Sequence, residues 1–143
     1  MIIPDVNLLI FAHNCEALHH QAAKEWLLDL MQGGKPVGLP WIVISGFIRI
    51  STHPKLLKNP LPVEDSTKIA RTWLTRRNVR IIEPKSQFQK LFLDGLEKLG
   101  TAGNLTTDAY LAALAIEYQA EIHSCDTDFL RFPGLRWKNP IAK

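Results

Sequence analysis

Four aspartates in three separate segments carry the chemistry of this 143-residue chain. Asp5 interrupts the apolar start MIIPDVNLLIFAH, Asp108 opens the helical pattern in LTTDAYLAALAIEY, and Asp126 and Asp128 share the segment HSCDTDF. An ionised carboxylate in apolar surroundings costs roughly several kcal/mol unless a partner compensates it. The first twelve residues contain no Lys, Arg or His. Because carboxylate oxygens suit hard divalent cations, the four acids together predict a Mg²⁺ or Mn²⁺ site.

Short apolar segments alternate with helical patterns, which favours an α/β fold with a mainly parallel sheet. In such a sheet, residues just past the carboxyl ends of the strands gather in one crevice. Asp5 and Asp126 each follow a predicted strand, and Asp108 lies in the first turn of a helix that is apolar on nearly every face. The predicted strands are Ile2–Pro4, Val79–Glu83 and Glu121–Cys125, and the predicted helices are Ala17–Met31, Glu64–Arg77, Ser86–Leu99 and Leu105–Gln119.

One segment is compatible with two structures. Residues 41–45, WIVIS, are β-branched and aromatic, so propensity alone predicts a strand. The continuation through Gly46 to Ser51 is equally compatible with a buried helix. The sequence leaves both alternatives open.

Composition indicates one ordinary globular domain over residues 1–143. The chain is 46% hydrophobic and 22% charged, and its net charge of +3 permits a polyanionic partner without requiring one. We expect no signal peptide, because no basic leader precedes the apolar N-terminal stretch and Asp5 interrupts it early. We expect no membrane span, because the longest apolar run elsewhere, residues 37–48, is short and broken by Pro40. Cys15 and Cys125 show no C-x-x-C spacing and the histidines no zinc pattern, so we expect reduced thiols in a cytoplasmic protein.

Each acid also has a purely structural interpretation. Asp108 can favour a helix dipole beside a Thr106 cap, and Asp126 and Asp128 can be turn residues. A strand followed by Asp also opens the haloacid-dehalogenase phosphatases, but those need a second aspartate two residues later, where this chain has Asn7. Asp5 is the hardest of the four to explain structurally, because it borders an apolar run without a local cation.

Four segments, in order and spacing, resemble the PIN-domain ribonucleases, specifically the VapC-type toxins of bacterial toxin–antitoxin pairs. They are IIPDVNLLIFAH, GFIRISTHP, TTDAYLAALAIEY and HSCDTDFLRFPGL, and the resemblance spans nearly the whole chain. It implies a three-layer α/β/α sandwich and a metal-dependent endoribonuclease. By resemblance, Asp5, Asp108 and Asp126 are metal ligands for Mg²⁺ or Mn²⁺, and Asp128 is a further acid near the cation.

The resemblance also implies supporting residues and partners. Asn7 and Ser124 match polar positions that support the pocket, and Arg49 matches an arginine of the family pattern. A homodimer, an RNA substrate and a cognate VapB-like antitoxin, whose tail covers the site, are implied as well. Gly46 stands where many PIN domains carry a glutamate. This departure supports an alternative, a catalytically inactive PIN-fold module that binds RNA or a protein.

A basic stretch between residues 68 and 90 predicts an RNA-binding rim. It holds seven Lys or Arg residues and a single acid, Glu83. The alternative is a solvated helix face. If the stretch binds RNA, its phosphate contacts give affinity and salt dependence without reading sequence. The residues predicted to contact RNA are Arg71, Arg76, Arg77, Arg80 and Lys85.

Overall fold

The computed structural model describes residues 1–142, and Lys143, the last residue of the predicted domain, lies outside the described residues. This range forms five strands, six α-helices and two short 3₁₀ helices, Gly103–Leu105 and Thr127–Arg131. The strands are β1 (Ile2–Pro4), β2 (Val37–Pro40), β3 (Val79–Ile82), β4 (Glu121–His123) and β5 (Arg136–Lys138). The helices are α1 (Val6–His13), α2 (His20–Gln32), α3 (Trp41–Ser51), α4 (Val63–Leu74), α5 (Phe88–Leu99) and α6 (Thr106–Tyr118).

The five strands form one sheet in the order β3-β2-β1-β4-β5, and every neighbouring pair is parallel. Ile2 pairs with Val37 on one side and with Glu121 on the other, so the strands begin nearly level. All five therefore end at one side of the sheet, which we call the carboxyl edge; the opposite side is the amino edge. The mainly parallel sheet predicted from sequence is confirmed.

Helices cover both faces of this sheet. From β1 to β3 the chain moves towards one end of the sheet, and from β3 to β4 it returns past β1. Crossovers between parallel strands are right-handed, so connections that run in opposite directions place their helices on opposite faces of the sheet. Accordingly, α1 packs on α2 and α3, and α5 packs on α6. Leu111 and Leu114 of α6 have no exposed surface. The result is the three-layer α/β/α sandwich that the family resemblance implies.

The ambiguous segment after Pro40 is a helix. Trp41–Ser51 forms α3, which buries Val43, Ile44 and Phe47 at helical spacing. Pro40 ends β2 and precedes the first turn, where its missing N–H is not needed. Burial of one helical face therefore outweighs the β propensity of the segment.

Two predicted elements end two or three residues earlier than the sequence suggests. The strand predicted to reach Cys125 ends at His123, so Ser124 and Cys125 belong to the loop at the carboxyl edge. The helix predicted to reach Arg77 ends at Leu74, which places Arg76 and Arg77 in the turn before β3. None of the helices within residues 1–142 combines the length and apolar character that a membrane span requires.

Candidate functional site

Asp5 is fixed at the carboxyl edge by hydrogen bonds to both of its carboxylate oxygens. It directly follows β1 and caps α1, where Oδ1 accepts a hydrogen bond from the Val6 amide at 2.7 Å. Its Oδ2 accepts a hydrogen bond from the Ser124 hydroxyl, also at 2.7 Å. Asp5 is only 7% exposed. Its orientation is therefore set by the start of α1 and by the loop after β4.

The Ser124 hydroxyl links three other residues of the site. It donates to Asp5 and accepts hydrogen bonds from the Asn7 side-chain amide at 3.2 Å and from the Asp126 backbone N–H at 2.9 Å. Ser124 is fully buried. The support predicted for Asn7 and Ser124 corresponds to this hydrogen-bond network.

Three carboxylates converge next to this network. Asp108 lies in the first turn of α6, and Asp126 and Asp128 lie at the start of the 3₁₀ helix after β4. One oxygen of each lies within 4.8 Å of the others. Asp126 Oδ1 also accepts a hydrogen bond from the Asp128 backbone N–H at 2.8 Å. The turn interpretation and the ligand interpretation are thus compatible, because the turn itself brings the two acids together.

The acids perturb one another. The pKa of Asp108 is raised from 3.8 to about 7, chiefly by burial and then by the negative charges of Asp126 and Asp5, a side-chain hydrogen bond with Asp126 and the charge of Asp128. Burial also raises the pKa of Asp5, although the hydrogen bonds from Ser124 and Val6 oppose the shift. Like charges gathered in a low-dielectric site disfavour ionisation. The acids of the cluster therefore resist simultaneous ionisation unless a positive charge lies among them.

The donor set fits a hard divalent cation. Within residues 1–142 the ion pairs are Lys58 with Glu16 and His123 with Glu121, so no Lys or Arg pairs with the site acids. Asn7 supplies a further observation, since its Oδ1 is buried and has no hydrogen-bond partner in the described part of the chain. Carboxylate and amide oxygens are the ligands that Mg²⁺ and Mn²⁺ prefer, either directly or through bound water.

Arg49 and Gly46 lie on α3, away from direct contact with the acids. Arg49 is exposed, and none of its side-chain hydrogen bonds or ion pairs within residues 1–142 reaches an aspartate of the site. Gly46 faces α1, because a Cβ built on it would lie 2.9 Å from Cγ2 of Val6. A side chain at position 46 would therefore meet Val6, the residue next to Asp5, before it approached the acids.

The basic stretch is divided between different parts of the molecule. Arg76, Arg77 and Arg80 lie at or just before the start of β3, at the amino edge and thus at the opposite side of the sheet from Asp5 and Asp126. Arg71 is exposed on α4, and the Lys85 ammonium lies 3.8 Å from the centre of the Tyr118 ring. These five residues therefore do not form one continuous rim around the acids.

Two supporting contacts had no clear signal in the sequence. The Trp137 indole N–H on β5 donates to the Ser124 carbonyl at 3.1 Å, and the Asp5 backbone N–H donates to the His123 carbonyl at 2.9 Å. His123 is itself held by the Trp26 indole N–H, 3.0 Å from its Nδ1. Strand pairing creates these contacts, so a residue pattern read along the chain does not reveal them.

Comparison with known proteins identifies the family of this fold and site. The model of the PIN domain family matches residues 2–135. Over 143 residues, which is all of both chains, the sequence is 44% identical to ribonuclease VapC33 of Mycobacterium tuberculosis.

Solved structures agree on the fold. The M. tuberculosis toxin VapC20, which cleaves the sarcin–ricin loop, superposes with a TM-score of 0.70 at 15% identity and covers 95% of this chain and 99% of its own. VapBC-1 from nontypeable Haemophilus influenzae gives a TM-score of 0.69 at 19% identity, covering 99% of this chain and all of its own. From the matched domain and the full-length similarity to VapC33, this chain belongs to the PIN-domain family, among relatives named VapC ribonucleases.

Proposed function

We propose that this protein is a metal-dependent endoribonuclease that hydrolyses RNA phosphodiester bonds and acts as the toxin of a type II toxin–antitoxin pair. The observation that carries the proposal is the convergence of Asp108, Asp126 and Asp128 within 4.8 Å, without a Lys or Arg that pairs with them in residues 1–142. Full-length similarity to a protein named as a ribonuclease supports the same reaction class.

We infer that Asp5, Asp108 and Asp126 hold the cation and that Asp128 contributes as a fourth acid. The mutual approach of Asp108, Asp126 and Asp128 supports a direct role for Asp128. Asp5 already accepts two hydrogen bonds. Carboxylate oxygens carry two lone pairs each, so Asp5 keeps capacity to bind the cation or one of its waters.

Asp5, Asp108 and Asp126 would hold a Mg²⁺ or Mn²⁺ ion, which would supply Lewis-acid chemistry for the phosphate and make a water more acidic near neutral pH. The chain's own residues prepare the site for that chemistry. Ser124 and the Asp128 amide orient Asp126, and Asn7 Oδ1 remains available to accept a hydrogen bond from a water molecule. Asp108, whose pKa is raised to about 7, holds a proton at its carboxyl group in part of the metal-free molecules near neutral pH.

We propose further that the protein is cytoplasmic, forms a homodimer and is bound by a VapB-like antitoxin. The structural similarity to VapBC-1 of H. influenzae and the family resemblance support the antitoxin. An arginine on the antitoxin tail can form bidentate hydrogen bonds with a carboxylate, and the uncompensated acids at the carboxyl edge are suitable partners.

The inactive alternative receives no support from the site. It rested on Gly46, where many relatives of the fold carry a glutamate. In this structure Gly46 is part of the contact between α1 and α3, and Asp108, Asp126 and Asp128 converge without it.

A cleavage assay tests the proposal. Purified protein is incubated with structured RNAs in Mg²⁺, in Mn²⁺ and in chelator, alongside Asp126→Asn. Asp94→Asn, which removes an exposed carboxylate on α5, serves as the matched control. We expect cleavage that requires metal, persists in Asp94→Asn and is lost in Asp126→Asn. Cleavage that is equal in chelator and metal would contradict the proposal.

A further inference from the structure

The amino edge of the sheet carries an open concavity of about 540 Å³ that the proposed reaction does not use. It lies between the turn before β2 and the turn before β3. We call it the amino-edge cavity. Its lining residues are Gly33, Gly34, Pro36, Arg77, Asn78 and Arg80.

Hydrogen bonds hold the two walls of the amino-edge cavity together. The Asn78 side-chain amide donates to the Leu30 carbonyl at 2.9 Å and to the Lys35 carbonyl at 3.0 Å. The Val37 backbone N–H donates to the Asn78 carbonyl at 2.7 Å. Asn78 therefore fixes the turn before β3 against the end of α2 and the turn before β2. The concavity is formed before any ligand arrives.

Gly34 leaves part of the cavity open. No atom of residues 1–142 beyond its chain neighbours lies within 4 Å of the position that a Cβ on Gly34 would take. An extended backbone can therefore approach this surface closely.

The charge of the cavity has one sign. Arg77 and Arg80 are exposed, and the lining contains no Asp or Glu. Neither arginine forms an ion pair within residues 1–142. Arg76 adds a third exposed cation in the same turn. A guanidinium group binds phosphate through two parallel hydrogen bonds, which makes arginine suited to a phosphodiester backbone.

We propose that the amino-edge cavity binds the phosphodiester backbone of the RNA substrate at a second position, remote from the cleaved bond. This inference rests on the proposed function, because it supplies the anchoring that the acids cannot provide. Carboxylates repel a polyanion. Three cations, Arg76, Arg77 and Arg80, lie together at the opposite edge, at or just before the start of β3.

The dimensions favour a long RNA over a short one. Strands of three or four residues span about 10–13 Å at roughly 3.3 Å per residue. A ligand that occupies both edges must therefore extend at least this far along the sheet. A structured RNA can do so, whereas a fragment that covers only the cleaved bond cannot. Contacts of this kind give affinity without base recognition.

Binding measurements on a cleavage-deficient protein test the inference. In the Asp126→Asn background, Arg77→Gln and Arg80→Gln are combined and compared with Lys55→Gln and Lys98→Gln, two exposed lysines elsewhere whose loss changes the net charge equally. The probes are a full-length transfer RNA transcript and a short single-stranded oligoribonucleotide. Fluorescence anisotropy is recorded over a range of salt concentrations, and circular dichroism checks that each variant is folded.

We expect the combined Arg77→Gln and Arg80→Gln variant, called the arginine pair, to bind the transcript about tenfold more weakly, since each exposed phosphate contact contributes modestly. The combined Lys55→Gln and Lys98→Gln variant is called the lysine pair. The salt dependence, as the slope of log K against log salt, should fall by about 1.4, or roughly 0.7 per lost phosphate contact. The lysine pair should change the transcript affinity by less than about twofold, and the oligoribonucleotide should bind all variants alike.

Three results would overturn the inference. Equal transcript affinity and salt slope in the arginine and lysine pairs would show that the cavity does not contact RNA. Equal weakening of transcript and oligoribonucleotide by the arginine pair would indicate a general electrostatic effect. Unchanged RNA binding together with a weaker complex with a co-expressed partner would assign the cavity to a protein. Failure of the proposed function appears separately, as absence of cleavage by the wild type on any RNA.

Discussion

At the scale of single residues, the Ser124 hydroxyl organises the site. One oxygen atom contacts Asp5, Asn7 and the Asp126 backbone, and these three residues come from both β1–α1 and the loop after β4. A hydroxyl has one proton to donate and two lone pairs to accept. All of this capacity is used, so the positions of Asp5 and Asp126 are coupled through Ser124.

This network predicts opposite effects for two carboxylate substitutions. Asp108→Asn should raise the free energy of unfolding of the metal-free protein, because it removes a buried charge that Asp126 and Asp5 repel. Asp5→Asn should lower it by about 1 kcal/mol, because an amide has a single oxygen and cannot accept the hydrogen bonds of both the Val6 N–H and the Ser124 hydroxyl. Urea unfolding in chelator measures both values. An increase for Asp5→Asn as large as that for Asp108→Asn would show that charge repulsion alone controls Asp5.

The raised pKa of Asp108 also predicts how stability varies with pH. Between about pH 4 and 7 the folded chain keeps a proton that the unfolded chain has lost, so the folded state binds more protons. The free energy of unfolding of the metal-free protein should therefore fall as pH rises through this window. Asp108→Asn should show a smaller fall.

Two histidines have the opposite effect on how the free energy of unfolding varies with pH, and they contribute equally in both proteins. Burial lowers the pKa of His13 and of His123, so their contributions increase stability as pH rises. Both are present in wild type and Asp108→Asn, and they cancel in the difference between the two curves. Identical pH dependence of the two proteins would show that Asp108 ionises normally. Unfolding at constant ionic strength in chelator provides the measurement.

The sequence predicts the identity of the site acids but not their individual roles. Residue type and apolar surroundings single out Asp5, and the positions after predicted strands bring Asp126 near it. Asn7 Oδ1 has no hydrogen-bond partner within residues 1–142, and Asp5 accepts two hydrogen bonds. Both features depend on side-chain orientation, which a linear pattern does not contain. The same holds for the basic stretch, which is contiguous in sequence and divided in space.

At the scale of elements, the contact between α1 and α3 sets the position of the Asp5 cap. Gly46 allows α3 to approach Val6, and Val6 directly follows Asp5. Val is stiff at χ1, so its methyl group yields only by rotating to another rotamer or by moving the backbone. The glycine therefore matters for packing, at a position where the resemblance suggested a missing ligand.

A double-mutant cycle tests this contact. Gly46→Ala should destabilise the wild type by about 1–2 kcal/mol, because overpacking against Val6 exceeds the helix propensity gained. In a Val6→Ala background the colliding methyl group is absent, and the same substitution should stabilise by up to about 1 kcal/mol. Chemical unfolding of the four proteins gives the coupling energy. Equal effects of Gly46→Ala in both backgrounds would show that the contact is not limiting.

Helices with a clear apolar period were predictable from the sequence, whereas α1, β2 and β5 were not. The sequence patterns indicated α2, α4, α5 and α6 with ends shifted by a few residues, as helix boundaries often are. Helix α1 is buried on most sides and lacks a polar face. Strand β2 contains Gly38 and Pro40, which are poor strand residues, and β5 is a short, charged strand at the edge of the sheet. In each case tertiary burial or edge position, rather than local propensity, determines the structure.

At the scale of the whole molecule, the charges are distributed unevenly between the two edges of the sheet. The acids gather at the carboxyl edge, and Arg76, Arg77 and Arg80 lie at the amino edge. An RNA that meets both edges and an antitoxin tail that covers only the acids would therefore use different surfaces. Because both need the carboxyl edge, their binding should be mutually exclusive there.

Expression in bacteria tests this competition. The wild-type chain expressed alone should inhibit growth, and co-expression of the neighbouring small gene should relieve the inhibition, because a tail bearing arginine blocks the acids. Asp126→Asn at matched expression should be harmless without the partner. Normal growth of cells with abundant wild-type protein in the soluble fraction would count against the toxin assignment.

The central claim is that the acid cluster holds the cation at which RNA is cleaved. Mn²⁺ binding, followed by calorimetry, and RNA cleavage rate, followed over the same Mn²⁺ range in one buffer, test it most directly. We predict that the two curves share a midpoint in the wild type, and that both binding and cleavage are lost in Asp126→Asn while Asp94→Asn retains them. Cleavage that persists in Asp126→Asn, or Mn²⁺ binding that is identical in all three proteins, would contradict the claim.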